Sequence, residues 1–187
     1  MSKPWWQKME CLKGDITKIK ADVIVNAANS SLLGGGGVDG AIHKAGGPAI
    51  LDDCKKIVSR QGGCQTGQAV VTTAGCLPAR YVIHTVGPVW KGGQRGEAQK
   101  LVDCYRNALQ LAYDMGCRTI AFPNISTGSY GFPKKKAATL AVKTVSQFLS
   151  VNDRMEKVLF VCFDDENSAF ITRILHDGQH DPAMNES

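Results

Sequence analysis

Short apolar runs rich in β-branched residues alternate along the chain with longer segments of helical period. This alternation is typical of an α/β fold, in which helices cover both faces of a sheet. Several of the short runs are continuously apolar, which predicts central strands that are buried on both faces. The predicted strands are residues 9–12, 23–26, 69–72, 81–86, 119–122 and 158–163.

Apolar side chains at helical spacing predict the helices. The clearest pattern runs from Glu97 to Met115 and is followed by Gly116, a residue type that commonly ends a helix. Pro48 suits the first position of another helix, because the N–H that proline lacks would have no partner there. The predicted helices are residues 38–45, 48–60, 97–115, the segment from Pro133 through Phe148, and a short one at 170–175.

The length of the chain predicts a single domain. It has 187 residues, and no internal repeat or linker divides it, so one domain is expected at 1–187. The core is expected at about residues 8–176, between a frayed N-terminus and a polar C-terminal tail. No apolar run approaches the roughly 18 residues of a membrane helix, and the first residues contain no signal-peptide stretch. We therefore expect a cytoplasmic protein with no membrane partner.

Charge and cysteine content exclude other classes. The formal net charge of +5 is mild, and a dedicated nucleic-acid-binding domain is usually more basic. The 7 cysteines are an odd number, widely scattered, with no Cys-x-x-Cys pair and no histidine at metal-ligand spacing. They predict reduced thiols and no metal site.

The most unusual segment, residues 26–40, leaves a predicted strand and enters a predicted helix through four consecutive glycines. Backbone without Cβ atoms can approach a ligand closely, and the N–H groups at a helix start bind phosphate. The alternative is a flexible surface loop. Gly35, Gly37 and Gly40 also match the spacing of the dinucleotide fingerprint, but several residues separate the strand from the first glycine, which disfavours a nicotinamide site.

A second glycine-bearing loop, residues 123–133, again joins an apolar strand to a helix. Two such loops at strand ends would form a crevice for a diphosphate. Asn124 stands where a Gly-x-Ser-x-Gly motif requires glycine, so Ser126 is a poor candidate for a hydrolase nucleophile. Tyr130 and Phe132 would pack along a sugar or a base, although Phe132 could instead fill the core beneath the loop.

A few polar residues are candidates for recognition and catalysis. Asp15 follows the first strand and would either accept a hydrogen bond from an amine such as that of adenine or cap a short helical turn. Asn29 and Asp39 flank the glycine run and could supply an orienting amide and an ionised acceptor for water, whereas the alternative for Asp39 is helix capping. His84 is expected to be a core histidine, and His43 lies close to Asp39 on the predicted helix.

Four motifs together resemble the macro domain family, and within it the MacroD-type branch of O-acetyl-ADP-ribose deacetylases and mono-ADP-ribosyl hydrolases. They are Gly14-Asp15-Ile16-Thr17, Asn26-Ala27-Ala28-Asn29, Gly34 to Gly40, and Ile125 to Gly131, in the family's order. The resemblance extends from about Glu10 to about Leu175. It implies a three-layer α/β/α sandwich around a mixed six-stranded sheet, with an ADP-ribose crevice across its top.

The same resemblance implies a role for each site residue. Asp15 would bind the adenine amino group, Ile16 would contact the adenine ring, and the backbone of Gly37 and Val38 would meet the diphosphate. Asn29 would orient the distal ribose, and Asp39 would activate or position the water that cleaves an ester on it. The residues implied to close over the phosphates and the distal ribose are Ser126, Thr127, Gly128, Ser129 and Tyr130. Phe132 stands where this branch often has tyrosine and keeps the ring, whereas Asn124 stands where a small residue is usual.

The implied function is hydrolysis of ADP-ribose esters. The substrates would be O-acetyl-ADP-ribose and proteins that carry mono-ADP-ribose on acidic side chains, with no metal or redox cofactor. Attack of water assisted by the ligand's own phosphate is an alternative to base catalysis by Asp39. One rival is a reader that binds ADP-ribose without turnover, against which the pair Asn29 and Asp39 argues. The other is an RNA-associated protein or a regulator of another enzyme, favoured by the basic charge, Lys134 to Lys136 and the pair Trp5 and Trp6.

Overall fold

The computed structural model describes residues 3–180. The six strands are β1 (Met9–Lys13), β2 (Val23–Ala28), β3 (Ala69–Thr73), β4 (Tyr81–Val86), β5 (Thr119–Phe122) and β6 (Lys157–Cys162). The five α-helices are α1 (Gly37–Gly46), α2 (Pro48–Gln61), α3 (Glu97–Asp114), α4 (Lys134–Val151) and α5 (Asp165–Gln179). Single 3-10 turns cover Trp5–Lys8 and Ile16–Lys18.

The strands form one mixed sheet in the order β1-β6-β5-β2-β4-β3. All neighbouring pairs are parallel except β3 and β4, which run antiparallel. The sheet therefore has the six strands and the mixed direction that the resemblance implies. Because β1, β6, β5, β2 and β4 share one direction, the loops that follow them leave from the same edge of the sheet.

Two apolar clusters cover opposite faces of the sheet, which makes three layers. Alternate residues of β2 show the division: Val23 and Val25 face α3, α4 and α5, whereas Ile24 faces α1 and α2. All three side chains are fully buried, and each such burial contributes about 1.5–3 kcal/mol to folding. The α/β/α sandwich is confirmed.

The element boundaries correct several predictions. Helix α5 has 15 residues instead of the six predicted, because Asp164 caps it through the backbone N–H of Asn167 and its first turn is polar. Strand β6 ends at Cys162, one residue earlier than predicted, and leaves Phe163 outside the sheet. Near the N-terminus, Trp5–Lys8 forms a turn, and Lys8, the first residue of the predicted core, is buried and donates its Nζ to the Asp153 carbonyl. The tail beyond residue 180 lies outside the described residues.

Candidate active site

A cleft of about 810 Å³ lies at the carboxyl edge of the sheet. Its walls are the loops that follow β1, β2, β5 and β6, together with the first turn of α1. The loop after β2 leads to α1 on one face of the sheet, and the loop after the adjacent β5 leads to α4 on the other. This divergence opens a crevice between the two loops, which is where open α/β sheets bind ligands.

The glycine-rich loop forms one wall of the cleft. Helix α1 starts at Gly37, and no side chain caps its first N–H groups. Those donors, with the positive end of the helix, suit a phosphate group. A Cβ at Gly40 would lie 2.5 Å from the Gly35 carbonyl oxygen, so the close turn requires glycine there. This close approach constrains the loop where it enters α1.

Asp39 and Asn29 meet in this wall. An added Cβ on Gly35 would lie 3.1 Å from Asp39 Oδ2 and 3.2 Å from Asn29 Nδ2, so both side chains border the same small space. Asn29 Nδ2 donates one hydrogen to the Gly34 carbonyl at 2.9 Å, and its second hydrogen is free for a ligand. The structure thus brings together the amide and the carboxylate that the sequence paired.

The Asp39 carboxylate is held by a neighbouring strand and by a residue of its own helix. It is 4% exposed, and its Oδ1 accepts a hydrogen bond from Asn26 Nδ2 at 2.8 Å. His43 Nε2 lies 3.4 Å from the same oxygen. Among residues 3–180 no side-chain cap bond forms at the start of α1, although Asp39 lies in its first turn, where a negative charge is favourable. The second oxygen, Oδ2, is left to face the cleft.

Asp15 lies at the opposite end of the lining and caps a short turn, the second of its two predicted roles. Its Oδ1 accepts hydrogen bonds from the backbone N–H of Thr17 at 2.9 Å and from the Thr17 hydroxyl at 2.7 Å. These bonds cap the turn at Ile16–Lys18 and hold the pKa of Asp15 below its usual range. Oδ2 takes part in neither bond, so the carboxylate keeps an acceptor for a ligand in the cleft.

The loop after β5 forms the other wall and contains local strain. Ser126 has φ +67°, a left-handed conformation that residues other than glycine rarely adopt, and its backbone carbonyl accepts from Phe132 N. Its hydroxyl is buried and has no hydrogen-bond partner within residues 3–180. Strain and an unpaired donor of this kind occur together at ligand sites. The five residues of this loop implied to bind phosphate and ribose all line the cleft: Ser126, Thr127, Gly128, Ser129 and Tyr130.

Phe132 does not contact the cleft, which corrects its assignment as a substrate-binding residue. Its side chain is 1% exposed and packs against Trp90, with ring centroids 4.8 Å apart. The physical reason is the bond between Phe132 N and the Ser126 carbonyl, which turns the chain inward after Tyr130. Phe132 thus fills the core beneath the loop, the second of its two interpretations.

Glu97 supports the same wall and was treated at the sequence level only as a helix residue. Its carboxylate accepts N–H groups from Lys91, Gly93 and Arg95 at 3.0, 2.8 and 2.6 Å. These bonds lower the pKa of Glu97 to about 2. They fold the segment that follows Trp90, whose own N–H donates to the Tyr130 carbonyl at 2.8 Å. The buried acid therefore fixes the loop behind Tyr130.

One aromatic residue of the cleft was not among the predicted site residues. Phe163 follows β6 directly, lines the cleft and is 88% exposed. An isolated aromatic ring in that position offers a stacking surface for a base. Asp164, Asn167 and Lys134 line the same end, and Lys134 pairs with Asp164 at 3.8 Å and with Glu166 at 3.0 Å. The available signal was Phe163-Asp164-Asp165, a large apolar residue before two acids at a strand end.

His43, Cys54 and His84 form a cluster that sequence spacing did not reveal. Their ligand atoms lie within 4.8 Å of one another, because α1, α2 and β4 converge there. His84 Nε2 is already bonded to Thr72 Oγ1 at 2.9 Å, and burial raises the pKa of the Cys54 thiol to about 11. Metal binding there would have to displace Thr72 from His84 and deprotonate the Cys54 thiol. The same bonds make His84 the core histidine that was expected.

No helix within residues 3–180 combines the length and the apolar character that crossing a bilayer would require.

Comparisons with known proteins agree with this architecture. A sequence profile described as "Macro domain" matches residues 25–141. The chain is 61% identical over 166 residues to an O-acetyl-ADP-ribose deacetylase of Klebsiella pneumoniae (strain 342), covering 89% of this chain and 95% of the relative. It is 55% identical over 168 residues to an O-acetyl-ADP-ribose deacetylase of Escherichia coli (strain K12), covering 90% and 95%.

Solved structures agree as well. A mutant of the Oceanobacillus iheyensis macrodomain with ADPR has a TM-score of 0.88 at 43% identity, covering 92% of this chain and 94% of that one. A Trypanosoma brucei macrodomain in complex with ADP-ribose has a TM-score of 0.84 at 38% identity, covering 93% and 72%. The fold, the cleft between two glycine-bearing loops and these similarities lead to one conclusion: the chain belongs to the macro domain family.

Proposed function

We propose that this protein is a hydrolase that cleaves ADP-ribose esters. Its substrates are O-acetyl-ADP-ribose and proteins that carry mono-ADP-ribose on acidic side chains. The observation that carries the proposal is the convergence of Asp39 Oδ2 and Asn29 Nδ2 on the space beside Gly35, within the phosphate-binding wall of the cleft. The relatives named O-acetyl-ADP-ribose deacetylase support the ester as the bond that is cleaved.

The adenine end of the ligand lies at the loops after β1 and β6. Asp15 keeps a free carboxylate oxygen for the exocyclic amine of adenine, and Ile16 borders the same part of the cleft. Phe163 stacks on the base, since its ring is exposed there and does not pack into the core. Base–aromatic stacking contributes about 1–3 kcal/mol to binding in comparable sites.

The diphosphate lies between the two loops. The uncapped N–H groups of Gly37 and Val38 face it from the start of α1, and Ser126 to Ser129 close over it from the other wall. The unpaired Ser126 hydroxyl donates to a phosphate oxygen, which would satisfy the buried group. The distal ribose then reaches Tyr130, Asn29 and Asp39.

Asp39 carries the chemistry in this arrangement. The free hydrogen of Asn29 Nδ2 orients a hydroxyl of the distal ribose, and the ionised Asp39 positions the attacking water and accepts its proton. Water adds to the acyl carbon, the ester C–O bond breaks, and the products are a carboxylic acid and ADP-ribose. General-base assistance of this type contributes about 10²- to 10⁴-fold in rate. Assistance by the ligand's own phosphate is the alternative source of the base.

Non-catalytic rivals are less well supported. A reader needs the cleft but not a buried carboxylate aimed into it, whereas Asp39 is held in place by Asn26 and faces the cleft. An RNA-associated role would use exposed cations, but Lys134 is engaged by Asp164 and Glu166. Regulation of another enzyme and a cytoplasmic location stay predictions from the sequence.

The test is a time course of acetate release from O-acetyl-ADP-ribose. We expect release by the wild type and a loss of about 10²-fold or more in Asp39→Ala, because the carboxylate serves the reaction. Asp39→Ala should still bind ADP-ribose, since the seat is mainly backbone. Asp52→Ala, which removes an exposed acid on α2, is the matched control and should behave as wild type.

The second substrate is tested with a polypeptide mono-ADP-ribosylated on glutamate, by release of ADP-ribose. Turnover of O-acetyl-ADP-ribose without turnover of the polypeptide would limit the proposal to the small ester. Folded wild type that binds ADP-ribose but cleaves neither substrate would refute the hydrolase and favour the reader.

A further inference from the structure

A network of buried polar side chains lies beneath Asp39. Its members take no direct part in the proposed ligand binding or hydrolysis. The network consists of Asn26 on β2, His84 on β4 and Thr72 on β3, three strands that are neighbours in the sheet. Asn26 and His84 are direct partners in the parallel register. Their exposures are 0%, 0% and 4%, so solvent does not supply hydrogen-bond partners to these side chains.

Each hydrogen bond of this network has an assignable donor and acceptor. Thr72 Oγ1 donates to the Thr73 carbonyl at 2.9 Å, so its oxygen accepts the bond from His84 Nε2 at 2.9 Å. The imidazole proton therefore lies on Nε2, and Nδ1 is an acceptor. Asn26 Nδ2 lies 3.0 Å from that Nδ1 and donates one hydrogen to it. Its other hydrogen goes to Asp39 Oδ1 at 2.8 Å.

The reverse orientation of the Asn26 amide is excluded by its neighbours. It would place Oδ1 of Asn26 against the Asp39 carboxylate and against His84 Nδ1, where no hydrogen is available. In the observed orientation Oδ1 is buried without a partner among residues 3–180. That cost is tolerated because both amide hydrogens are committed to acceptors.

The surroundings keep His84 neutral. The groups that face it are His43 from α1, at 6.2 Å between ring centroids, and Cys54 from α2, whose Sγ lies 3.9 Å from Nε2. Burial, followed by the nearby His43, lowers the pKa of His84 to about 3, and burial keeps the Cys54 thiol protonated. The only carboxylate of the network is Asp39, which His84 reaches through Asn26.

We propose that His84, held in one tautomer by Thr72, is a positioning residue that sets the Asn26 amide and thereby aims the Asp39 carboxylate into the cleft. The inference rests on the proposed function for its kinetic readout. Asp39 Oδ1 is the anchored oxygen, and Oδ2 is the one presented to water. The hydrogen bonds that connect Thr72 to Asp39 pass through His84 and Asn26, which makes Thr72 the informative position.

Thr72→Val is the first test, because valine has nearly the shape of threonine and removes only the hydroxyl, which accepts from His84 Nε2 and donates to the Thr73 carbonyl. Without the hydroxyl the imidazole proton can move to Nδ1, where it would face the donor hydrogens of Asn26. We expect kcat to fall by about 10- to 100-fold, since a displacement of up to ~1 Å costs on the order of 10²-fold in rate. KM for O-acetyl-ADP-ribose should stay within about twofold, because the seat is untouched.

Two matched variants separate positioning from packing. Thr72→Ser keeps the hydroxyl and should restore most of kcat. Thr144→Val makes the same change at another buried threonine, on α4, and should have no effect on kcat. The proposal would be overturned if Thr72→Ser lost as much kcat as Thr72→Val. It would also be overturned if the fall in kcat of Thr72→Val came with a comparable rise in KM.

Imidazole ¹⁵N–¹H spectra test the tautomer directly. We expect protonated Nε2 and bare Nδ1 on His84 in the wild type and in Thr72→Ser, and a changed pattern in Thr72→Val. A wild-type Nδ1–H tautomer would overturn the proposal.

If the wild type releases no acetate, the proposed function fails by itself, and the carboxyl ¹³C resonance of Asp39 then tests the positioning role. It should shift in Thr72→Val and return in Thr72→Ser, and an unmoved resonance would refute the positioning role.

Discussion

Gly35→Ala tests whether Asp39 and Asn29 act together at one point of the cleft. The substitution adds a single Cβ, and no positive φ makes glycine obligatory at this position. That carbon would lie 3.1 Å from Asp39 Oδ2 and 3.2 Å from Asn29 Nδ2, whereas ordinary contact begins near 3.4 Å. Both polar groups must therefore move by a few tenths of an ångström.

The size of the effect follows from that displacement. A catalytic group misplaced by ~1 Å costs on the order of 10²-fold in rate. A shift of about 0.3–0.5 Å in Asp39 should therefore lower kcat by roughly 4- to 10-fold. The movement of Asn29 adds to this loss. Overpacking costs about 1–3 kcal/mol, which for a chain of this length lowers Tm by roughly 2–12 °C.

The assay is acetate release at saturating O-acetyl-ADP-ribose, with Gly36→Ala as the matched control. A Cβ on Gly36 meets no atom within 4 Å, and φ there is −92°, so alanine fits without displacing a neighbour. We therefore expect Gly36→Ala to keep the wild-type kcat, with any change confined to KM. If Gly35→Ala keeps the wild-type kcat, or if both variants lose kcat equally, the reasoning from convergence at Gly35 is refuted.

Two further predictions separate binding from stability at the two aromatic residues near the cleft. Phe163→Ala should weaken ADP-ribose binding by about 5- to 150-fold, the loss of about 1–3 kcal/mol of stacking, with Tm unchanged because the side chain is 88% exposed. Calorimetric titration checks this, and an unchanged Kd would remove Phe163 from the adenine site. Phe132→Ala should instead destabilise the fold by about 3–5 kcal/mol through a core cavity, measured by denaturant unfolding. A stability close to wild type would contradict its placement against Trp90.

The two loops of the site show what local sequence could predict. The glycine run after an apolar strand and before a helical pattern predicted a phosphate site at a helix start, and α1 does begin within the run, at Gly37. Asp39 and Asn29 flank this run, so their proximity followed from the chain itself. Their atomic partners did not, because Asn26 reaches Asp39 Oδ1 only once β2 and α1 are packed.

The aromatic residues show where local sequence failed. Phe132 and Phe163 both lie in loops that join a strand to a helix, and their residue type does not distinguish the one that lines the cleft. The bond from Phe132 N to the Ser126 carbonyl turns the first ring into the core. The end of β6 at Cys162 leaves the second ring exposed. Loop closure and strand length are set by neighbouring segments, so neither is visible in the local pattern.

The sequence by itself determined the alternation of strands and helices, the two glycine-bearing loops and the residue types of the cleft. Those features depend on hydrophobic period and on backbone freedom, which are local properties of the chain. Only the tertiary structure decided which polar groups form hydrogen bonds with one another. Asn26, His84 and Thr72 lie on three strands and are far apart in sequence, and only the register of β3, β4 and β2 places them in one line beneath Asp39. Burial then fixes the direction of their bonds, because a buried donor must find an acceptor within the protein.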